Sequence, residues 1–350
     1  MFNPNRLLHP NRFVTALMWG GMATAILTGC NQPAQDKATP PTDSQDTTPA
    51  ANTETKTVAI TAIVEHPALD AVRAGVIEQL AEDGYVEGKN LKVNFQSAQG
   101  STATAGQISK QFVGDNPDAI VAIATPSAQS LAAATTTIPI VFSAVTDPVA
   151  AKLVKDLAGS GTNVTGASNA SPYEPQIDLM KQLIPNLKDV GYVYSPGEVN
   201  STVVLKELKS RLEPMGITVH EAPANSGNDI PMAARSIADK VDLIYTSTDN
   251  HVVSAYESLY KVGKESKVPL MAADTDTVAR GAAAALGINY RDLGRETGKI
   301  VTRILKGEAP GTIPVYRAKT LDLYVSPTHA KEQGFTLPQA VIDNAQKVLE

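Results

Sequence analysis

Val58-Ala59-Ile60-Thr61-Ala62-Ile63-Val64 decides the fold, because it opens a succession of elements that the chain contains twice. The β-branched run reads as a buried strand. It leads through Glu65-His66-Pro67-Ala68 into a helix with Val72, Val76, Ile77 and Leu80 on one face. That helix stops at Gly84, where a left-handed cap suits glycine. Strand 91–96, a helix near 103–115, strand 119–124, a helix from Thr125 and strand 138–142 come next. From Val190-Gly191-Tyr192-Val193-Tyr194 the same order begins again. A helix carrying Val204, Leu205, Leu208 and Leu212 ends near Gly216; strand 218–221, helix 230–239, strand 243–246, a helix from Asp249 and strand 268–272 complete the copy. The spacing is nearly constant. Val58 to Val190 and Gly84 to Gly216 are both 132 residues, Ile138-Pro139-Ile140 matches Val268-Pro269-Leu270 at 130, and Asp147 matches Asp276 at 129.

Strands alternating with helices imply parallel βαβ units. Each copy is therefore read as an open α/β lobe, Rossmann-like, a parallel sheet with helices on both faces. Such sheets bind ligands beyond the carboxyl ends of their strands, so two facing lobes should enclose one cleft. Gly287-Ile288-Asn289-Tyr290 leads into a helix stopping at Gly307, and a strand-like 321–325 lies beyond it. That helix is expected to return to the first lobe and the tail to the second, so that several crossings form a hinge. The expected division is 57–166 plus 289–312 for the first lobe, and 167–288 plus 313–350 for the second.

The first residues read differently. Arg6 and Arg12 precede the uncharged apolar run 13–27, and Leu27-Thr28-Gly29-Cys30 comes next. Positive, apolar, small-residue is the layout of a secretory signal, here residues 1–29. The run is shorter than the ~20 residues that span a bilayer. The tetrapeptide resembles the bacterial lipobox, which implies lipid on Cys30. Residues 31–56 contain no Val, Ile, Leu, Met or aromatic residue. They cannot bury enough apolar surface to offset ordering entropy, so 30–56 reads as a disordered linker.

Charge and cysteine usage exclude several classes. The chain has 30 Lys+Arg against 36 Asp+Glu, a net charge of −6. Without Arg6 and Arg12 the balance is 28 against 36, or −8, with no basic stripe for nucleic acid. Cys30 is the one cysteine, so disulfides, a Cys₄-type zinc site and a thiol nucleophile are excluded. Gly166-Ala167-Ser168-Asn169-Ala170 nearly matches G-x-S-x-G, but its fifth residue is Ala and it reads as a polar connector between the copies. Gly159-Ser160-Gly161 comes after a helix and lacks a third glycine, and there is no G-x-x-x-x-G-K-[ST] run. His220, His251 and His329 show no metal spacing and read as surface residues. No enzyme, cofactor or metal is expected.

Several motifs then stand in order. They are Glu65-His66-Pro67-Ala68-Leu69-Asp70, Ala124-Thr125-Pro126-Ser127-Ala128-Gln129, Val145-Thr146-Asp147-Pro148-Val149-Ala150 and Asn163-Val164-Thr165-Gly166. Gly197-Glu198-Val199-Asn200-Ser201, Thr248-Asp249-Asn250 and Leu305-Lys306-Gly307-Glu308 continue the series. With these, the chain resembles the ABC-transporter substrate-binding lipoproteins that include the tryptophan-binding members, over nearly all of 57–337. The resemblance implies a type I periplasmic-binding fold with the ligand cleft between two lobes. It also implies an exported, lipid-anchored monomer that hands a small solute, an apolar or aromatic amino acid, to a permease and its ATPase. A ligand-sensing lipoprotein that signals to a membrane receptor would carry the same cleft. A transcriptional regulator of this fold would need a helix-turn-helix where this chain has its signal and linker.

Candidate ligand contacts lie just past predicted strands. In the first lobe these are Glu65, His66, Thr125, Ser127, Thr146 and Asp147. The hydroxyls of Thr125 and Ser127, with the free N–H groups of the helix start, suit a carboxylate, although the same residues suit an ordinary helix cap. In the second lobe they are Glu198, Asn200, Ser201, Asp249, Asn250 and Asp274. A carboxylate among them would take an ammonium group, the alternative being helix capping or lobe contact. Tyr194 and Tyr290 suit either stacking on a ligand or packing in the hinge.

Overall fold

The structure, a computed structural model, describes residues 54–350. The signal, Cys30 and most of the linker lie outside the described residues. The first copy runs β1 (Lys56–Ala62), α1 (Pro67–Glu82), β2 (Leu91–Ser97), α2 (Thr102–Asp115), β3 (Ala119–Ile123), α3 (Thr125–Ala134), β4 (Ile140–Val145) and β5 (Val164–Ser168). The second runs α4 (Tyr173–Leu183), β6 (Asp189–Tyr194), α5 (Val199–Leu212), β7 (Thr218–Pro223), α6 (Ile230–Arg235), β8 (Leu243–Thr246), α7 (Asn250–Ser254), α8 (Tyr256–Ser266), β9 (Leu270–Ala272) and β10 (Ala284–Gly287). Strand order is β2-β1-β3-β4-β5 in one sheet and β7-β6-β8-β9-β10 in the other, the same order twice. Val58 lies between Val93 and Ala119, and Val190 between Val219 and Leu243. The duplication is thus a duplication of topology.

Side-chain alternation explains why both sheets are covered on two sides. Tyr192 and Tyr194 of β6 join one core with α4 and α5, while Val193 between them joins another with α6, α7 and α8. The two-residue period of a strand sends neighbours to opposite faces, so a doubly covered strand must be apolar throughout.

The remaining chain ties the lobes together. α9 (Tyr290–Leu305) returns to the first lobe and lies along α1. Two glycines permit this: a Cβ on Gly294 would strike the Val72 carbonyl oxygen, and one on Gly75 the Arg291 carbonyl oxygen. Arg291 and Arg295 pair with Glu78 and Glu82 along the rim of the same contact. β11 (Tyr316–Arg317) then pairs with β5, and β12 (Asp322–Val325) runs antiparallel to β10. α10 (Pro327–Glu332), α11 (Gln339–Asp343) and β13 (Lys347–Val348) finish the second lobe.

Three expectations need correction. Residues 164–168 are a strand of the first sheet rather than a polar connector. Gly166 lets β5 come close to Phe142, whose carbonyl oxygen and ring occupy the space of a Cβ. The crossings fall at 168–173, 287–290 and 317–322, so the last lies beyond Arg317 rather than at 312/313. Ile313 and Val315 are buried in the first core, and the Ile313 carbonyl accepts from Thr165 Oγ1 at 2.8 Å. Burial holds the chain to the first lobe for those extra residues. The turn-capping aspartate after β9 is Asp274, which accepts from Asp276 N as Asp147 accepts from Val149 N, so the pair differs by 127 residues instead of 129.

Candidate ligand-binding cleft

The lobes meet across their strand ends. α3 touches α5, and Val199 packs against the first core. His251 Nε2 donates to the Gly100 carbonyl oxygen at 3.2 Å, and Thr146 and Thr248 hydroxyls lie 3.4 Å apart. Among the expected contacts, His66, Thr125, Ser127, Glu198, Asn200, Ser201, Asp249, Asn250 and Asp274 are buried.

On the first lobe, the loop after β1 sets His66 as the residue before α1, with Pro67 at the first helical position. Burial, and then the Arg280 charge, push its imidazole down to about 3, so the ring is neutral. Its Nδ1 has no hydrogen-bond partner. Thr125 and Ser127 occupy the first turn of α3, each about 1% exposed, and neither hydroxyl has a partner. They do not cap their own helix. Ala124 before them has φ +74°, a conformation that costs an L-residue about 1–3 kcal/mol. β3 passes into α3 through that one residue, and the first-turn amides of α3 have no intrahelical partner. Thr61, at the end of β1, carries another unpartnered buried hydroxyl. Sequence reasoning missed it, because inside a β-branched run a threonine looks like strand.

On the second lobe a dense cluster gathers at the starts of α5 and α7. Asp249 accepts four hydrogen bonds, from Ser195 N at 2.7 Å, Ser195 Oγ at 2.9 Å, Ser201 Oγ at 2.6 Å and Val252 N at 2.9 Å. It is a helix cap whose lone pairs are used. Ser201 serves that cap. Glu198 Oε2 accepts from Asn200 Nδ2 at 2.8 Å, Asn250 N at 3.1 Å and Asn250 Nδ2 at 2.7 Å. Its Oε1 accepts none of these and lies 3.7 Å from His251 Nδ1. Burial, with the Asp249 charge beside it, pushes the Glu198 carboxyl up to about 7. Asn200 Oδ1 has no partner. Asp274 caps the short 3₁₀ helix Thr275–Arg280 through Asp276 N, and burial followed by Asp276 raises its carboxyl to about 7. Asp147 lies apart from the cluster. It caps its own turn by accepting from Val149 N and Ala150 N.

His251 is not a surface residue. It bridges the lobes, and Ser195 Oγ lies 3.0 Å from its Nδ1. Its place two residues after the Asp249 cap, on a strand-end helix, was the available signal. Glu198, Asp249 and His251 bring ligand atoms within 4.8 Å of one another. The four donors on Asp249 make this a hydrogen-bonded cluster rather than a cation site. Of the two aromatic candidates, Tyr194 donates to Glu221 and stacks on Tyr192, and Tyr290 is buried in the first core; both pack.

Two α/β lobes joined by three crossings, with unsatisfied polar groups on facing strand ends, define a solute-binding molecule of the type I periplasmic-binding class. The chain belongs to the ABC transporter substrate binding protein family, whose model matches residues 57–349. It is 35% identical over 309 residues to a tyrosine-binding protein of Clostridioides difficile, covering 88% of each chain. It superposes with TM-score 0.81 and 36% identity on an ABC domain from Streptococcus pneumoniae in complex with L-Trp, covering 85% of this chain and all of that one. A ligand-free, open structure of a Clostridium difficile substrate-binding protein with adhesive properties is 38% identical but superposes at only 0.64, covering 84% and 99%. Family and neighbours bind solutes and are not enzymes. Among the described residues no helix is long and apolar enough to cross a membrane.

Proposed function

We propose that this protein captures an apolar or aromatic amino acid by closing its lobes, and delivers it to a membrane permease driven by an ATPase. It does so outside the cytoplasm, as a monomer held to the membrane by lipid on Cys30. The observation that carries the reading is the pairing of unmet polar groups across the cleft. Thr125 and Ser127 offer hydroxyl donors beside the start of α3, while Glu198 Oε1 and Asn200 Oδ1 offer acceptors at the start of α5. A carboxylate suits the first set and an ammonium the second. Burying a polar atom without a partner costs about 1–3 kcal/mol, so a zwitterion that satisfies several at once stabilises the closed form. The better superposition on the L-Trp complex than on the open structure, at nearly equal identity, supports closure as the binding motion.

Thermal unfolding of the purified protein against the amino acids, then sugars and nucleosides, tests this. A solute at a hundredfold excess over Kd stabilises by about 2.7 kcal/mol. No shift with any apolar or aromatic amino acid would refute the solute class. Fractionation of cells making Cys30→Ser checks the anchor, which predicts loss of the protein from the membrane.

A further inference from the structure

Near the first crossing between the lobes lies a small, partly open chamber of about 30 Å³ lined by Asn169, Gln176, Tyr245, Ser247 and Thr248. Gln176 is about 1% exposed. Its Nε2 donates to the Leu286 carbonyl oxygen at 2.5 Å, and a carbonyl can only accept, so the amide cannot be turned round. Gln176 Oε1 is therefore an acceptor, and it has no partner. Asn169 lies beside it, its side-chain amide 3.2 Å from the Tyr290 hydroxyl and 3.4 Å from that of Thr248, groups that can donate as well as accept. Gln176, with its unpartnered acceptor, thus lines one small chamber together with Asn169 and Tyr245.

We infer that this chamber reads a hydrogen-bond donor on the solute's side chain, and that Gln176 is the residue that reads it. The inference rests on the amino-acid reading above and narrows it to flat side chains bearing O–H or N–H, a phenol or an indole. Thr248 connects the two ends of the site. Its carbonyl accepts from Asn200 Nδ2 at 3.3 Å, beside Glu198, while the residue itself lines the chamber. An ammonium at Glu198 therefore sets the side chain toward Gln176. Room for a ring exists, because Thr146, Ser171 and Tyr173 are shared with an adjoining cavity of about 450 Å³. That volume falls within the usual range for small-ligand sites. A hydrocarbon side chain would leave Gln176 Oε1 buried and unmet, and a site built to bond a donor rejects the analogue that lacks it.

Calorimetric titration with L-Trp, L-Tyr, L-Phe and 4-fluoro-L-phenylalanine tests this. The wild-type protein should bind L-Trp or L-Tyr at least about 30-fold more tightly than the two donor-free analogues. Gln176→Met, which keeps the volume and removes the acceptor together with the Nε2 bond to Leu286, should shrink that gap to about fivefold or less. The wild-type comparison stands even where the variant fails to fold. Binding of all four within about threefold overturns this inference alone, as does a complex in which only water meets Gln176 Oε1. Failure of all four to bind overturns this inference, and where no other apolar amino acid raises the melting temperature either, the amino-acid reading falls with it.

Discussion

Glu198→Gln separates what the cleft does for binding from what it costs in stability. The folded carboxyl is pushed up to about 7 from an ordinary 4.5, by burial and then by Asp249. Between those values the folded state holds a proton that the unfolded chain has released. The Glu198 contribution is therefore intact below 4.5, declines as the pH rises to 7, and leaves the solute-free protein destabilised above that. At about 1.4 kcal/mol per pH unit the full displacement corresponds to roughly 3 kcal/mol. Glutamine keeps a carbonyl oxygen where Oε2 accepts from Asn200 and Asn250, so all three hydrogen bonds survive. The variant should melt about 5 °C above wild type at pH 8 and within about 1 °C of it at pH 4.5, by roughly 2 °C per kcal/mol for a body this size. Its amide also loses the charge that attracts an ammonium. A buried charge-assisted contact of this kind is worth roughly 2–5 kcal/mol, so Kd should rise thirtyfold or more. Melting scans across pH and calorimetry at pH 8 measure both effects. A melting difference independent of pH, or unchanged affinity, would refute the argument.

Other substitutions probe separate parts of the cleft. Ser127→Ala removes a hydroxyl with no partner, so stability should stay within about 1 kcal/mol of wild type or rise, while solute affinity falls about tenfold by calorimetry. His251→Ala breaks the bond to Gly100 across the lobes; a net hydrogen bond of about 1 kcal/mol shifts the closure equilibrium roughly fivefold, visible as a larger radius of gyration in X-ray scattering. Gly294→Ala places a methyl against the Val72 backbone, which cannot yield without parting α1 from α9, so urea unfolding should show a loss of about 3 kcal/mol.

The repeat made the architecture legible, since both sheets keep one strand order and their apolar runs mark strands covered on both faces. What the sequence hid was short or polar. β5, with Thr165, Gly166 and Ser168, has the composition of a connector and forms a strand because Gly166 admits close pairing beside Phe142. The candidate site could be read as a set of strand-end positions and not as a set of roles. Strand-end placement selected Thr125, Ser127, Glu198 and Asp249 together. Residue type could not tell that Asp249 spends its lone pairs on four donors while Glu198 keeps an oxygen free. Gln176 left no signal, because on an amphipathic helix a glutamine reads as the solvated face.

Several departures from ordinary folding rules gather at the facing strand ends. Ala124 is held at positive φ, Thr125, Ser127 and Asn200 bury atoms without partners, and Glu198 is buried with a carboxyl that charges reluctantly. Each is unfavourable by itself, by about 1–3 kcal/mol. The lobe cores show no such conflict at the α1–α9 contact, where glycines let two backbones meet and acidic and basic rows match. Where these groups gather, a ligand that met them would relieve the conflict. On the proposed function, the α1–α9 contact stays rigid while the facing strand ends await a partner, and the free energy of closing would fall on the solute that completes them.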